Sequence, residues 1–343
     1  MASLTPSPQS VEDTFRNHLL SMTLGVAQTQ LLRVAAELGI ADLVKDGPRS
    51  IEALATETGT EVSVLARVLR GLAGIGVLAE TGPQLFAGTP LATLLQANHP
   101  NSLRDYAKFM GSVWLHQTWP HLPESVRTGG SAFEALFGQP VFEYMQGHRS
   151  EAAEFNAAMS AITRQESVVL QAVFDFSTTQ HLVDVGGGLG LLLATLLRAY
   201  PSLHGTLLEL PRMAEGARAV LEPEVAEGRC QIVAGDFLAS VPAGGDVYIL
   251  KRVLMDHDDA QARTLLRNIR EAMHSNGRVL IAEPDLASQY GTSFDMLLLV
   301  VSGTSSRIRT EAEMRELFTS AGLTLTRSLA APPTLRLVEG TPS

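Results

Sequence analysis

The sequence predicts an α/β protein in two parts: a mostly helical N-terminal region containing a winged helix, then a doubly wound sheet. Five short apolar runs follow Ser177, each separated from the next by a helix-patterned stretch. Alternation of that kind builds a sheet with right-handed crossovers. A glycine-rich turn comes directly after the first run. The first half of the chain lacks this alternation and keeps its apolar residues near helical spacing. Domains are accordingly drawn at 1–100 for the winged-helix unit, 101–165 for a helical linker, and 166–343 for the sheet.

The bulk numbers fit that outline. A chain of 343 residues is long enough for two ordinary domains and a large core. Hydrophobic content of 45% beside 18% charged residues describes a globular chain rather than a disordered one. The longest apolar stretches, such as MLLLVV at 296–301, fall far short of the ~20 residues that cross a bilayer. The start, MASLTPSPQSVEDTF, has neither a basic head nor an apolar run, so no membrane partner and a cytoplasmic location are expected. A single cysteine, Cys230, excludes an intrachain disulfide and a cysteine-rich zinc site. Acidic residues outnumber basic ones by 36 to 26, a net charge of −10, which argues against a nucleic-acid partner.

Along the chain, SMTLGVAQTQLLRVAAELGIADLV places Leu31, Leu32, Ala35, Leu38 and Ile40 close to helical spacing, with Gly39 as a stop. From Ser50 onward come two short helices, an apolar turn, and a β-ribbon (GVLAE, QLFAG) folded at Thr81-Gly82-Pro83. Winged helices often read DNA, but Ser50 to Pro100 holds only Arg67 and Arg70 against Glu52, Glu57, Glu61 and Glu80. A DNA reader needs several cations aimed at phosphates. The module is therefore read as a scaffold or dimerisation unit.

Residues 101–165 stay helical and are rich in large side chains, including both tryptophans, Trp114 and Trp119. Singly these are ordinary core residues. As a cluster they suit the wall of a pocket for a flat, partly apolar ligand. Trp114, His116, Phe142, Met145, Phe155, Asn156 and Met159 are the substrate-binding candidates from this region, joined by Asp256 and Met296 further on.

The five strand-like runs are HLVDVG, HGTLLEL, CQIVAGD, DVYILKR and RVLIAEP. Between the last two, DDAQARTLLRNIREAMH puts Leu265, Leu266, Ile269, Ala272 and Met273 on one face. Asp258 and Asp259 suit its positive end, and Asn276-Gly277 is read as its stop. Two more strands, around Pro332-Pro333, are expected to close the sheet as an antiparallel pair.

The sharpest local signal is LVDVGGGLGLLLATLL, residues 182–197. A strand ends near Asp184, a turn with Gly186, Gly187, Gly188 and Gly190 follows, and an apolar helix begins. Glycines allow a ligand close to the backbone, and the helix start offers unpaired N–H groups. The spacing fails the dinucleotide fingerprint, because the third glycine would fall at Leu191. Glu209, at the end of the next run, can accept both ribose hydroxyls. Asp236 can bond an adenine amino group, and Phe237 can stack on the base. Ligands from three successive strand ends fit an adenosine without a pyrophosphate site.

With these residues in view, the chain resembles the small-molecule O-methyltransferases of the caffeate and hydroxyindole type, which use S-adenosylmethionine (SAM). VDVGGGLG, LLELP, AGDF, LKRVL-x-D, NGRVLIAEP and RTEAEMRELFTSAG occur in family order over about half the chain. The winged-helix start, GIADLV…GPRSIEALA…LARVLRGLAGIGVL, extends the likeness across almost all of it. The resemblance implies a Rossmann-like class I methyltransferase sheet, a homodimer held by the N-terminal domain, and a secondary-metabolite acceptor. Gly186, Glu209, Asp236, Phe237 and Lys251 match the family's SAM contacts. Asp184, Gly188, Leu210, Gly235 and Arg252 complete the candidate cofactor site.

The catalytic position departs from the family pattern. There the base is a histidine opening a His-Asp-Trp triplet, braced by two glutamates. Here the triplet reads Met255-Asp256-His257, so a thioether stands where a base is needed. The first glutamate matches Glu283, while the second falls at Ile308. His257 is a displaced-base candidate or a solvated surface residue beside Asp256, Asp258 and Asp259. His116, His121 and His148 are rivals, His116 first among them. Arg307 and Arg309, flanking Ile308, are placed to neutralise an acidic acceptor. With Met255 and the serine- and threonine-rich loop 302–306, a nitrogen-rich metal site is missing, and no metal is expected.

Three functions follow. The first is SAM-dependent methyl transfer to a small aromatic or polyketide-like acceptor, to oxygen first and to carbon as the alternative, driven by proximity and desolvation. The second keeps SAM and drops the transfer, as in a pericyclase, decarboxylase or hydroxylase. The third, a ligand-sensing regulator using the winged helix, is opposed by the missing basic face.

Overall fold

The computed structural model of the chain describes residues 8–331 and 334–343. The chain divides into two compact units, Met1–His116 and Gln117–Ser343.

In the first unit, helices Gly25–Glu37, Ile51–Thr58 and Val62–Gly74 accompany three short antiparallel strands, β1 (Arg49–Ser50), β2 (Leu78–Gly82) and β3 (Leu85–Gly88), ordered β1-β3-β2. The ribbon β2–β3 is the predicted wing. β1 is only two residues long, too short for any periodicity to reveal. Leu65, Leu69 and Leu72 fall at i, i+4 and i+7, so one stripe of their helix enters a core with Leu54, Ile40 and Phe86. Ser50 accepts the Ala53 N–H at 3.2 Å and caps the helix after it, worth about 1 kcal/mol. Gly39 takes φ of +66°, as a helix-stopping glycine does. Of the two arginines in the winged segment, Arg70 lies 3.9 Å from Glu80.

The second unit is built on a seven-stranded sheet: β4 (His181–Val185), β5 (His204–Glu209), β6 (Cys230–Ala234), β7 (Val247–Lys251), β8 (Arg278–Pro284), β9 (Leu323–Ala331) and β10 (Leu335–Pro342). Their order is β6-β5-β4-β7-β8-β10-β9. The five predicted runs are β4 to β8, all parallel to one another, and β10 adds antiparallel to β8. The tail forms the expected antiparallel pair, with Pro332 and Pro333 outside the described residues.

Alternation along each strand feeds two cores, because successive side chains leave opposite faces. Leu182, Leu207, Ile249, Leu280 and Leu337 pack with Leu170, Leu193, Leu197 and Leu221 of helices Arg149–Val173, Leu191–Ala199 and Pro211–Ala226. Val183, Leu208, Tyr248, Ile281 and Val338 pack instead with Leu265, Ile269, Leu317 and Phe318 of helices Asp259–Ala272 and Glu311–Ser320. Burial on both faces explains why these strands read as continuous apolar runs. The strand order reverses beside β4, so a crevice opens beyond the carboxyl ends of β4 and β7, where ligands of such sheets bind.

Two sequence expectations differ from the fold. The helix expected to stop at Asn276-Gly277 ends at Ala272, because Met273 turns extended (ψ 152°) to bury its side chain in the second core. The boundary drawn at residue 165 falls inside the unbroken helix Arg149–Val173, whose apolar stripe continues onto the sheet. Among the described residues, no helix is long and apolar enough to cross a membrane.

Candidate active site

The glycine turn after β4 is shaped by backbone constraint. Gly186, Gly188 and Gly190 adopt φ of +70°, +60° and +74°, a region that penalises a Cβ. Gly187 is fixed for another reason: a Cβ there would lie 2.3 Å from Asp184 Oδ2. Above Gly188 there is open space for 4 Å. Glu209, at the end of β5, accepts the Gly188 N–H at 2.9 Å through Oε2 and the Leu210 N–H at 2.8 Å through Oε1. Its carboxylate therefore locks the turn to the neighbouring strand. The Gly235 N–H reaches the Glu209 carbonyl at 3.0 Å, which brings Asp236 and Phe237 to the same edge. Phe237 and Val253 would both touch a Cβ on Gly186, so the ends of β4, β6 and β7 converge there.

Asp184 sits beneath this turn, fully buried, and neither carboxyl oxygen has a hydrogen-bond partner among the described residues. Burial pushes its carboxyl up to about 7, with Glu209 adding to the rise and Lys251 opposing it. Burial likewise raises Glu209 against its two backbone donors.

Lys251 and Arg252, at the end of β7, turn toward a residue the sequence did not single out. Glu166, buried on helix Arg149–Val173, accepts from Lys251 Nζ at 3.3 Å and from Arg252 Nη2 at 2.6 Å. Burial pushes the Glu166 carboxyl up, but the two cations outweigh it and leave it below the ordinary range. Arg252 holds φ of +57° to make this contact. Its guanidinium also meets the Tyr290 hydroxyl at 3.2 Å and lies 5.0 Å from the Phe294 ring centre. A signal for Glu166 did exist: it lies 11 residues after Phe155, on the helical stripe of Phe155 and Met159. A charge on a buried stripe calls for a partner.

The segment after β7 forms a 3-10 turn, Leu254–Asp256, held almost wholly through its backbone. Glu283 Oε1, at the end of β8, accepts the Met255 N–H at 2.6 Å. The Met255 carbonyl accepts the Arg307 N–H at 2.8 Å, and the Asp256 carbonyl accepts the Ser306 hydroxyl at 3.2 Å. Arg309 is buried and donates to the Leu254 and His257 carbonyls at 2.9 and 2.7 Å. The Met255 side chain is 3% exposed.

Several expected roles change here. Arg307 and Arg309 do not wait for an acidic acceptor, since Arg307 pairs with Glu313 and Asp259, and Arg309 with Asp259 and the turn. His257 is not a solvated surface residue. Its ring is half-buried, edge-on to Phe237 at 5.3 Å and 82°, and burial lowers its pKa. Ile308 is buried, its N–H held by Asp295 at 2.8 Å. His148 stacks on Tyr144 at 3.7 Å and uses Nδ1 on the Tyr144 carbonyl.

Of the substrate-binding candidates, Phe142 and Phe155 meet edge-on at 6.3 Å, Met145 is buried, and Asn156 and Met159 are half-buried on the long helix. Met296 is 41% exposed. Trp114 and His116 belong to the first unit, where Trp114 is buried against Phe109 at 5.8 Å. Among the described residues no three His, Cys, Asp or Glu side chains gather as metal ligands do.

A doubly wound sheet with a glycine turn, acids at successive strand ends and a preceding winged-helix unit defines a class I methyltransferase architecture. Residues 119–324 match the O-methyltransferase domain family and residues 20–98 the O-methyltransferase dimerisation domain; the chain belongs to the O-methyltransferase family. It is 40% identical to the phenazine O-methyltransferase PhzM of Lysobacter antibioticus over 94% of this chain and 95% of that one. It is 37% identical to a mitomycin biosynthesis 6-O-methyltransferase of Streptomyces lavendulae over 92% and 91%. Among solved structures it resembles CalO1, a methyltransferase in calicheamicin biosynthesis in its SAH-bound form. That match has a TM-score of 0.85, 32% identity, and coverage of 96% and 98%.

Proposed function

We propose that this chain transfers a methyl group from SAM to an oxygen of a small, flat, aromatic natural-product acceptor, acting as a homodimer through its first unit. The near-full-length likeness to a phenazine O-methyltransferase carries this reading. SAM supplies an electrophilic methyl group on a sulfonium. The residues present fit it: Gly188 leaves open space above the turn, Glu209 offers a buried carboxylate at the strand end, and Asp184 keeps two unpartnered oxygens beneath. Asp236 and Phe237 are assigned to the adenine, and His257, edge-on to Phe237, to the wall of that slot rather than to proton transfer.

Methyl transfer is an in-line displacement, so alignment and exclusion of water are the main services the protein renders. In this reading Phe155, Asn156 and Met159 line the acceptor side along one helical stripe. The Glu166 cluster at the far end of that stripe fixes it to the sheet. Acceptors that ionise easily suit the site best, because Met255 cannot take a proton. Incubation with SAM and a panel of acidic phenols and hydroxylated heteroaromatics should give products heavier by one methyl group. A protein that binds SAM yet moves no methyl to any of them would refute the reading.

The buried Met255 and Ile308 motivate a second reading, a SAM-dependent enzyme that does not methylate. It predicts turnover without S-adenosylhomocysteine (SAH) among the products.

A further inference from the structure

Two carboxyls flank Met255. Asp256 follows it in the 3-10 turn and is half-buried; among the described residues no group donates a hydrogen bond to its carboxyl. Glu283 lies at the end of β8, 4% exposed. Its Oε1 is spent on the Met255 N–H at 2.6 Å, and its Oε2 is buried without a partner. The charged groups near Asp256 are Glu283 from β8 and Arg252 from the end of β7. Those near Glu283 are Arg309, from the segment before helix Glu311–Ser320, and Arg252. Arg252 is bound to Glu166, and Arg309 to Asp259 and two carbonyls.

Resting on the methyl-transfer reading, we propose that Asp256, coupled to Glu283, is the catalytic proton acceptor for weakly acidic hydroxyl acceptors in place of an imidazole. The acceptor oxygen attacks the methyl carbon. The carbon–sulfur bond breaks with its electron pair left on sulfur, and the hydroxyl proton passes to the Asp256 carboxylate. Burial first, and Glu283 in addition, keeps the base within reach of neutrality, because two neighbouring acids resist ionising together. Burial pushes both carboxyls up to about 7, with Glu283 adding to the rise at Asp256. A base is most effective when its pKa lies near the working pH.

The test uses the full-length enzyme, SAM, and two phenols, one weakly acidic and one ionised at neutral pH. Asp256→Asn should lower kcat/KM on the weakly acidic phenol about 100-fold, the low end of what a positioned base supplies. It should change the ionised phenol less than threefold, leave SAH affinity near wild type, and hold or raise the melting temperature at neutral pH, where the wild-type carboxyl ionises at a cost. Glu283→Gln, with the neighbouring charge gone, should move the acidic limb of the wild-type pH profile downward by about one unit. Carbon-13 NMR titration of the Asp256 carboxyl in the ligand-free protein should show the same downward move. Equal losses on both phenols, or an acidic limb and an Asp256 titration that Glu283→Gln leaves in place, would overturn the proposal. If the wild type methylates neither phenol, the methyl-transfer reading fails first and the base assignment falls with it.

Discussion

Glu166 and Arg252 form a buried ion pair, 2.6 Å between Oε1 and Nη2, that ties the long helix Arg149–Val173 to the residue after β7. Two further groups join the pair, since Lys251 shares the carboxylate and Tyr290 shares the guanidinium.

Removing that carboxylate leaves two buried cations without their counter-charge. Glu166→Gln should destabilise the fold by about 3–5 kcal/mol, the usual cost of breaking a buried pair from one side. The folded pKa of Glu166 is lowered, so its contribution is present above the unfolded value and lost as pH falls through the folded one. Denaturant melts should therefore show the penalty at pH 7 and a smaller one below pH ~4.

The glycine turn separates two kinds of glycine. Gly187→Ala would drive a Cβ to 2.3 Å from Asp184 Oδ2, so it should abolish SAH binding in calorimetry. Gly188→Ala meets no atom within 4 Å and suffers only the backbone strain of φ +60°, about 1–2 kcal/mol. Comparable losses from both would argue that the turn is not shaped by Asp184.

Asp184, Asp256 and Glu283 are all raised to about 7 by burial. Between pH ~4 and ~7 the folded chain holds protons that the unfolded chain releases, so stability falls as pH rises through that window. Asp184→Asn cannot ionise and escapes this loss. Its melting temperature relative to wild type should improve between pH 5 and pH 8, by the equivalent of roughly 1–4 kcal/mol. A difference that stays flat would show that Asp184 is not protonated in the fold.

Glu283 has one oxygen free to receive an imidazole N–H. Met255→His should raise kcat/KM on weakly acidic phenols by about tenfold or more, at little cost to stability if the ring reaches that oxygen. Ile308→Glu, by contrast, places a charge at a position only 5% exposed and should cost about 2 kcal/mol or more. Steady-state rates and thermal melts of the two variants decide both.

The sheet was legible because its strands are buried on both faces, which makes each a run of apolar residues such as LVDV and VLIA. Glu209 and Asp236 could be placed at strand ends from those runs alone. The helix end at Ala272 was not legible: Asn276-Gly277 is a stronger local stop, and the core's demand for Met273 overrode it. Nor were the partners of Arg309 and Glu166 legible. Their contacts span 50 to 86 residues of sequence and depend on how the elements pack, which no local pattern encodes.

The turn beyond β7 is held by Glu283, Arg309, the Arg307 N–H and Ser306, all acting on main-chain atoms. None of these bonds consults the side chain at residue 255. Such a rim works as a socket with an interchangeable fitting: its geometry is set by main-chain bonds, so the group presented at residue 255 can change without a new fold.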